Sequence, residues 1–246
     1  MNYQTYTPHQ QLALFIKCFW SLEVPALPDA EKQRIVPDGC MEMIFHYGDL
    51  FRQYLPDGSF IIQPKCFVFG QITNLLEIEP TGNTVILAAR FHPDGFIPFT
   101  SYPLYEMENK AVPLNILFGN EGIELEQQVL KDIGNEERIK YIEEFLIKKL
   151  HTAETIDLLT KSSIEVLLKS RGQLSMNDLA EQLNISRRQL ERKFSSAIGM
   201  SPKQLAKIIR LQATLQMLQQ KQFTSLTSLA YENGYFDQTH FIKDFK

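Results

Sequence analysis

Short apolar runs, interrupted by turn signals, occupy most of the first hundred positions. The runs are rich in β-branched and aromatic residues, and glycine and proline gather between them, which favours strands joined by turns. They cover residues 41–47, 60–62, 66–69 and 85–91, with turns such as Pro37-Asp38-Gly39 and Pro93-Asp94-Gly95. Several short strands of this kind predict an antiparallel sheet or a small barrel.

From about Gly122 onward the apolar residues recur at intervals of three and four, the period of an α-helix. One such face follows Asn135, which is placed to begin a helix. It consists of Ile139, Ile142, Phe145, Leu146 and Leu150. A second helical run covers about 155–169 and leads into the polar segment Ser170-Arg171-Gly172-Gln173, where we predict a domain boundary.

Two capped helices with a tight turn between them follow this boundary. Ser175 is placed to cap the first helix, and Ser186, with Gln189 three residues later, to cap the second. Asn184 stands in the turn and tolerates a left-handed backbone. Gly199 predicts the end of the second helix. This arrangement predicts a helix-turn-helix unit.

The same pattern recurs about fifty residues later. Its matching positions are Leu179-Ala180 with Leu229-Ala230, Asn184 with Gly234, Ser186 with Asp237, Leu190 with Phe241, and Phe194 with Phe245. Between the repeats, Ser201-Pro202-Lys203-Gln204 predicts the start of a helix that runs to about Gln219 and is roughly 27 Å long. Such a helix can hold two recognition helices about one DNA turn apart, ~34 Å.

The overall composition excludes several classes of protein, and the local charge adds a further clue. The chain has 246 residues, 44% hydrophobic, and only three cysteines, so it is neither disordered, fibrous nor disulfide-rich. It has no secretory leader or membrane-length apolar run, and we therefore expect a cytoplasmic protein. Residues 173–246 carry a net charge of +4 and the rest −8. A basic module beside an acidic body favours nucleic-acid binding.

Residues 160–246 resemble the DNA-binding domain of the AraC/XylS family of bacterial transcription regulators. The matching motifs are Leu179-Ala180-x-x-Leu183-x-Ile185-Ser186, Leu190-x-Arg192-x-Phe194, Gly199-Met200-Ser201-Pro202, Arg210-Leu211-x-Ala213, Leu229-Ala230-x-x-x-Gly234-Tyr235-x-Asp237-Gln238 and Phe241-x-Lys243-x-Phe245-Lys246. Two departures stand out. The family usually has arginine at Lys243, and it usually continues past Lys246 into a further helix, so the chain is either naturally short or truncated.

The resemblance implies direct base reading by two helices. In the first helix it implicates Arg187, Arg188, Glu191 and Arg192, and in the second Gln238, Thr239, Ile242 and Lys243. These residue types suit the task, since arginine pairs with guanine, glutamate with cytosine and glutamine with adenine. Lys203 and Lys207 are better suited to phosphate contacts.

The front of the chain resembles a domain of unassigned function that precedes AraC-type modules. The matching segments are Cys18-Phe19-Trp20, residues 34–40 and residues 90–95. Arg90 lies in an apolar strand and needs an anionic partner, which is Asp38, Glu42 or the carboxylate of a ligand. An internal salt bridge is the favoured alternative. Candidate effector-binding residues are Arg90, His92 and Trp20.

Catalytic and metal sites are disfavoured. Glu42 and His46 share a strand face, but the sequence pairs neither with a second ligand in a typical metal motif. No base is paired by sequence with Cys40. We therefore expect no catalytic residues, no metal and no cofactor.

These observations predict an α+β protein with an antiparallel, β-rich, sensor-like front domain and an all-α domain of two helix-turn-helix units joined by a long helix. The predicted segments are 1–120 (effector or dimerisation), 121–170 (helical connector) and 171–246 (DNA binding). We expect a sequence-specific transcription regulator that is not an enzyme and whose partners are operator DNA, a small-molecule effector and a second copy of itself. Two alternatives stay open: a ligand-binding or enzymatic front domain with a vestigial or truncated DNA module, and a partner-binding antagonist.

Overall fold

The computed structural model describes residues 1–26, 31–150, 158–221, 223–235, 239, 241 and 242. The chain divides into two compact units, Met1–Ile156 and Asp157–Lys246. The first unit combines strands with helices and the second is helical, so the predicted α+β class is confirmed.

Two antiparallel sheets form the β-rich part of the first unit. The described strands are β1 (Asn2–Tyr6), β2 (Ile16–Val24), β3 (Gln33–Ile35), β4 (Glu42–His46), β5 (Phe51–Tyr54), β6 (Phe60–Ile62), β7 (Cys66–Phe69), β8 (Leu76–Pro80), β9 (Thr84–Phe91) and β10 (Ala111–Pro113). One sheet has the order β1-β2-β9-β4-β7-β10 and the other β3-β8-β5-β6. The four strands predicted from the apolar runs correspond to β4, β6, β7 and β9.

The larger sheet buries both of its faces, because side chains alternate across a strand. One face, with Phe19, Met43 and Leu87, belongs to a core that also includes residues of the helices α1 (Leu114–Phe118), α2 (Asn120–Val129) and α3 (Asn135–Leu150). On the opposite face Leu22 and Ile86 pack with Phe51 of the smaller sheet.

A buried arginine organises the connection between α2 and α3. Arg138 donates from Nε to the carbonyl oxygen of Val129 at 2.9 Å and from Nη2 to that of Lys131 at 2.8 Å. Its guanidinium also lies 4.2 Å from the centre of the Tyr47 ring. Asn135 begins α3 as expected, but its side chain accepts from the Tyr47 hydroxyl and donates to that of Tyr6.

The second unit contains five described α-helices, and their boundaries follow the predicted caps. They are α4 (Leu158–Lys169), α5 (Met176–Gln182), α6 (Arg187–Ile198), α7 (Pro202–Gln219) and α8 (Leu226–Glu232). The hydroxyl of Ser175 accepts from the amide of Asp178, and Ser186 and Ser201 both form complete capping boxes. Gly199 ends α6 with φ of 82°. The predicted start of α4 at 155 falls outside the described residues.

The helices of the predicted connector, 121–170, are distributed between the two units. Helices α2 and α3 pack in the first, whereas α4 contacts α6 and α7 in the second. The domain limits inferred from the sequence stay a prediction. Among the described residues, no helix has the length and apolarity required to span a membrane.

Candidate nucleic-acid interface

The two predicted helix-turn-helix units close their turns with the same hydrogen bond. The amide of Ile185 donates to the carbonyl oxygen of Ala180 at 3.0 Å, and the amide of Tyr235 donates to that of Ala230 at 3.0 Å. The residue before each amide is left-handed, with φ of 52° at Asn184 and 72° at Gly234. The internal repeat therefore extends from the sequence to the geometry of the turns.

Helix α6 presents two arginines on the side away from its packed face. Leu190, Phe194 and Ile198 are buried. Successive helix residues are about 100° apart, so Arg188 and Arg192 lie on the opposite side, one turn from each other. Both side chains are exposed. An α-helix fits the major groove, and arginine side chains have the donors to contact base edges there.

Arg187 and Glu191 project toward the packed side of the same helix, near its N-terminal end. The Nε atom of Arg187 lies 3.0 Å from Oε1 of Glu191, an ion pair at the i,i+4 spacing. Both residues are exposed. The structure thus places all four residues predicted for the first recognition helix on α6, but it divides them between two sides of the helix.

The described part of the second recognition segment is short. Phe241 is buried and meets the ring of Tyr235 edge-on, with 5.2 Å between ring centres. Thr239 and Ile242 are exposed. Gln238 and Lys243, the other two residues predicted there, lie outside the described residues.

In the first unit, Arg90 forms the salt bridge that the sequence favoured. It stands between Cys18 and Glu42 in the register of β2, β9 and β4. Its Nη1 atom lies 3.3 Å from Oε1 of Glu42, and its Nη2 atom pairs with Asp38. Two carboxylates thus neutralise one guanidinium.

Trp20 joins this cluster, whereas His92 does not. The indole Nε1 of Trp20 donates to Oε1 of Glu42 at 3.0 Å, and its ring stacks on Tyr3 with 5.9 Å between centres. Burial raises the pKa of Glu42 to about 7, although the hydrogen bond from Trp20 acts in the opposite direction. His92 follows the end of β9, and among the described residues its side chain makes no hydrogen bond or ion pair with the cluster. Tyr3 was not predicted, since a single tyrosine near a chain end carries no sequence signal.

His46 is buried on the same face of β4 as Glu42. Its ring stacks on Phe67, 5.9 Å away, and meets Phe51 edge-on. Burial lowers its pKa to about 4, so the ring is neutral near pH 7. In the part of the chain that the structure describes, no cluster of three metal-ligating side chains includes it.

Comparison with known families and proteins agrees with this organisation. Residues 4–113 match a domain of unknown function, DUF6597, and residues 179–246 match a family described as a helix-turn-helix domain. An uncharacterized HTH-type transcriptional regulator of Haemophilus influenzae is 35% identical over 88 residues, which are 36% of this chain. The chain matches only 29% of the length of that relative.

Solved structures resemble the chain more weakly. ToxT from Vibrio cholerae has a TM-score of 0.48 at 16% identity, covering 100% of this chain and 94% of its own. The AraC-like transcriptional activator CuxR has a TM-score of 0.37 at 14% identity, covering 83% and 77%. Because both scores are below 0.5, the functional argument depends on the domain matches and on this chain's residues. On those grounds, residues 4–113 are similar to the DUF6597 domain and residues 179–246 to the helix-turn-helix domain family.

Proposed function

We propose that this protein is a sequence-specific DNA-binding transcription regulator. The observation that carries the proposal is the pair of turns with matching geometry, one of which precedes the exposed Arg188 and Arg192 of α6. Two such units joined by the 18-residue helix α7 suit two successive segments of major groove. A regulator that binds bacterial DNA acts in the cytoplasm. Such a protein needs no catalytic group.

In this proposal, the exposed side chains of α6 and of the second recognition segment contact the base edges. Arg188 and Arg192 have the donors for the O6 and N7 atoms of guanine, and Glu191 can accept from cytosine. In the second segment, Gln238, Thr239, Ile242 and Lys243 complete the proposed surface. Lys243 is a point charge without the planar fork of arginine, so it suits a phosphate or a single base acceptor.

The first unit is proposed to sense an effector and to pair with a second copy of the chain. The cluster around Glu42 offers the chemistry for an effector, because Trp20 and Tyr3 supply aromatic faces beside charged groups. Asp38 and Glu42 already pair with Arg90, so a carboxylate ligand would have to displace one of them, and an organic cation over the rings of Trp20 and Tyr3 suits this cluster better. Trp20 is the only tryptophan of the chain, and its fluorescence can follow the titration of matched ammonium and carboxylate compounds.

A selection from a random duplex pool tests the central proposal. The full chain should enrich a defined sequence, and binding to that sequence should weaken steeply as salt rises, because phosphate contacts release counterions. Sedimentation of the complex gives the number of copies bound. Failure to enrich any sequence, with no salt-sensitive binding to duplex, would contradict the proposal and favour a ligand-binding protein with a vestigial module.

A further inference from the structure

A pocket of about 410 Å³ opens within the helical unit, apart from the exposed face of α6. It lies between residues 172–177, the first turn of α6 and the N-terminal half of α7. Arg187, Lys203 and Arg210 line it, and none of its lining residues is acidic. Three positively charged side chains around one recess strongly favour the binding of an anion there.

Arg187 points to a different side of α6 from Arg188 and Arg192, the residues proposed to read bases. At about 100° per residue, Arg187 lies within about 60° of Leu190 on the helix, on the packed side of α6. Arg188 is rotated toward the opposite side. The first-turn position of Arg187 allows its guanidinium to line the pocket while Nε pairs with Glu191 at 3.0 Å.

Arg210 supplies the second observation that indicates an anion. Its guanidinium carbon lies 5.0 Å from the centre of the Tyr235 ring, which fixes the side chain against the second helix-turn-helix unit. Its Nε atom is buried, and among the described residues it has no hydrogen-bond partner. A buried N–H of a charged group without an acceptor is costly, and an anionic oxygen would remove that cost.

The wall of the pocket is held in place by close packing. Gly172 has φ of 69°, and a Cβ atom there would overlap the carbonyl oxygen of Ala206 on α7. Next to it, Nε2 of Gln173 donates to the carbonyl oxygen of Glu232 at 3.1 Å. The recess is therefore lined by the first helix-turn-helix unit, the segment before it and α7, and Gln173 connects its wall to the second unit.

We propose that this pocket binds a phosphate group. Arginine and lysine are the side chains that most often contact phosphate oxygens, and the volume admits a phosphate together with part of a nucleotide. The phosphate is either part of the DNA backbone, in which case the inference rests on the proposed function, or a free phosphorylated molecule. In both cases Arg187 holds an anion and does not read a base.

The DNA arm of the test uses Lys203→Gln and Arg210→Gln in the full chain, with Lys161→Gln as the matched control. Lys161 is an exposed lysine of α4 that does not line the pocket. Each pocket variant should weaken binding to the selected sequence and to random duplex by the same factor. Each should also reduce the slope of log K against log salt by about 1, and the control should leave it unchanged.

The free-anion arm uses calorimetric titration of the full chain with inorganic phosphate. Saturable binding that is lost in Lys203→Gln, with unchanged DNA slopes, supports the pocket and assigns it to a free phosphorylated molecule. Unchanged slopes in both pocket variants, with no saturable phosphate binding, overturn the inference and leave the proposed function intact. Phosphate binding by a protein that binds no duplex would overturn the proposed function alone. Lys203 is exposed, so its variant keeps the test valid if Arg210→Gln unfolds.

Discussion

Asn184 and Gly234 occupy equivalent positions in the two helix-turn-helix units, and both have a left-handed backbone. The amide that follows each residue donates to the carbonyl oxygen of an alanine five residues earlier in the chain. Glycine adopts this conformation without steric cost and asparagine at a small one. One backbone requirement thus accounts for two different residues.

This equivalence predicts unequal effects of two substitutions. Gly234→Ala should lower the free energy of unfolding by about 1 kcal/mol, since alanine is strained at positive φ. Asn184→Gly should change it by less than about 1 kcal/mol. Urea unfolding followed by circular dichroism at 222 nm, where the helical unit contributes strongly, measures both. Equal destabilisation by the two variants would contradict the equivalence.

Substitution of Arg188 tests the proposal that the exposed face of α6 reads bases. Arg188→Ala should cost about 1–3 kcal/mol of binding to the selected sequence and relax specificity at one base position. Fluorescence anisotropy against single-base variants of that sequence is the measurement, with Lys161→Ala as the control. An equal loss on every sequence would instead make Arg188 a phosphate contact.

Arg138 is predicted to stabilise the first unit through its fork of donors. Arg138→Ala removes the buried hydrogen bond to Val129 and the bond to Lys131, both from a charged donor, so unfolding should become easier by about 3 kcal/mol. Trp20 fluorescence in urea reports this unit alone. Lys140→Ala, on the exposed side of α3, should stay within about 0.5 kcal/mol of the parent. Equal effects of the two substitutions would show that the hydrogen bonds of Arg138 contribute little to the stability of the first unit.

The fluorescence of Trp20 should titrate near neutral pH. Its indole N–H donates to Glu42, whose pKa burial raises to about 7, so deprotonation places a charge beside the ring. We expect a transition centred near pH 7 in the native protein that disappears in Glu42→Gln. A transition that persists in this variant would assign the effect to another group.

Glu42 and His46 should make opposite contributions to stability as pH changes. Glu42 binds its proton more tightly in the folded state, with a pKa of about 7 against 4.5, so its contribution is lost as pH rises through 7. His46 binds its proton more weakly when folded, with a pKa of about 4 against 6.5, so its contribution is lost as pH falls from 6.5 toward 4.

The two windows overlap, and single substitutions should therefore separate them. Between pH 4.5 and 6.5 the stability of His46→Phe should fall as pH rises, and that of Glu42→Gln should increase. Urea midpoints followed by Trp20 fluorescence at several pH values measure both slopes. Parallel profiles in the two variants would contradict the assignment.

Much of the helical unit could be predicted because its signals are local. A cap, the apolar period and a turn residue lie within a few positions of one another, so Ser186, Leu190 and Gly199 were sufficient to bound α6. Four of the ten described strands were located for the same reason, but the strand order was not, because pairing joins positions far apart in the chain. The sequence left Asp38, Glu42 or a ligand carboxylate as partners of Arg90. Only the register of the sheet placed Glu42 beside it.

The sequence by itself determined where α3, α5, α6 and α7 begin, that a helix-turn-helix unit is repeated, and that positive charge gathers in residues 173–246. The tertiary structure decided how these charges are used. Neighbours in sequence point about 100° apart on a helix, so Arg187 and Arg188 are directed to different surfaces. Packing of α7 against both units then placed Arg210 and Lys203 in one recess with Arg187. Long-range packing sets these distances, and no local pattern encodes them.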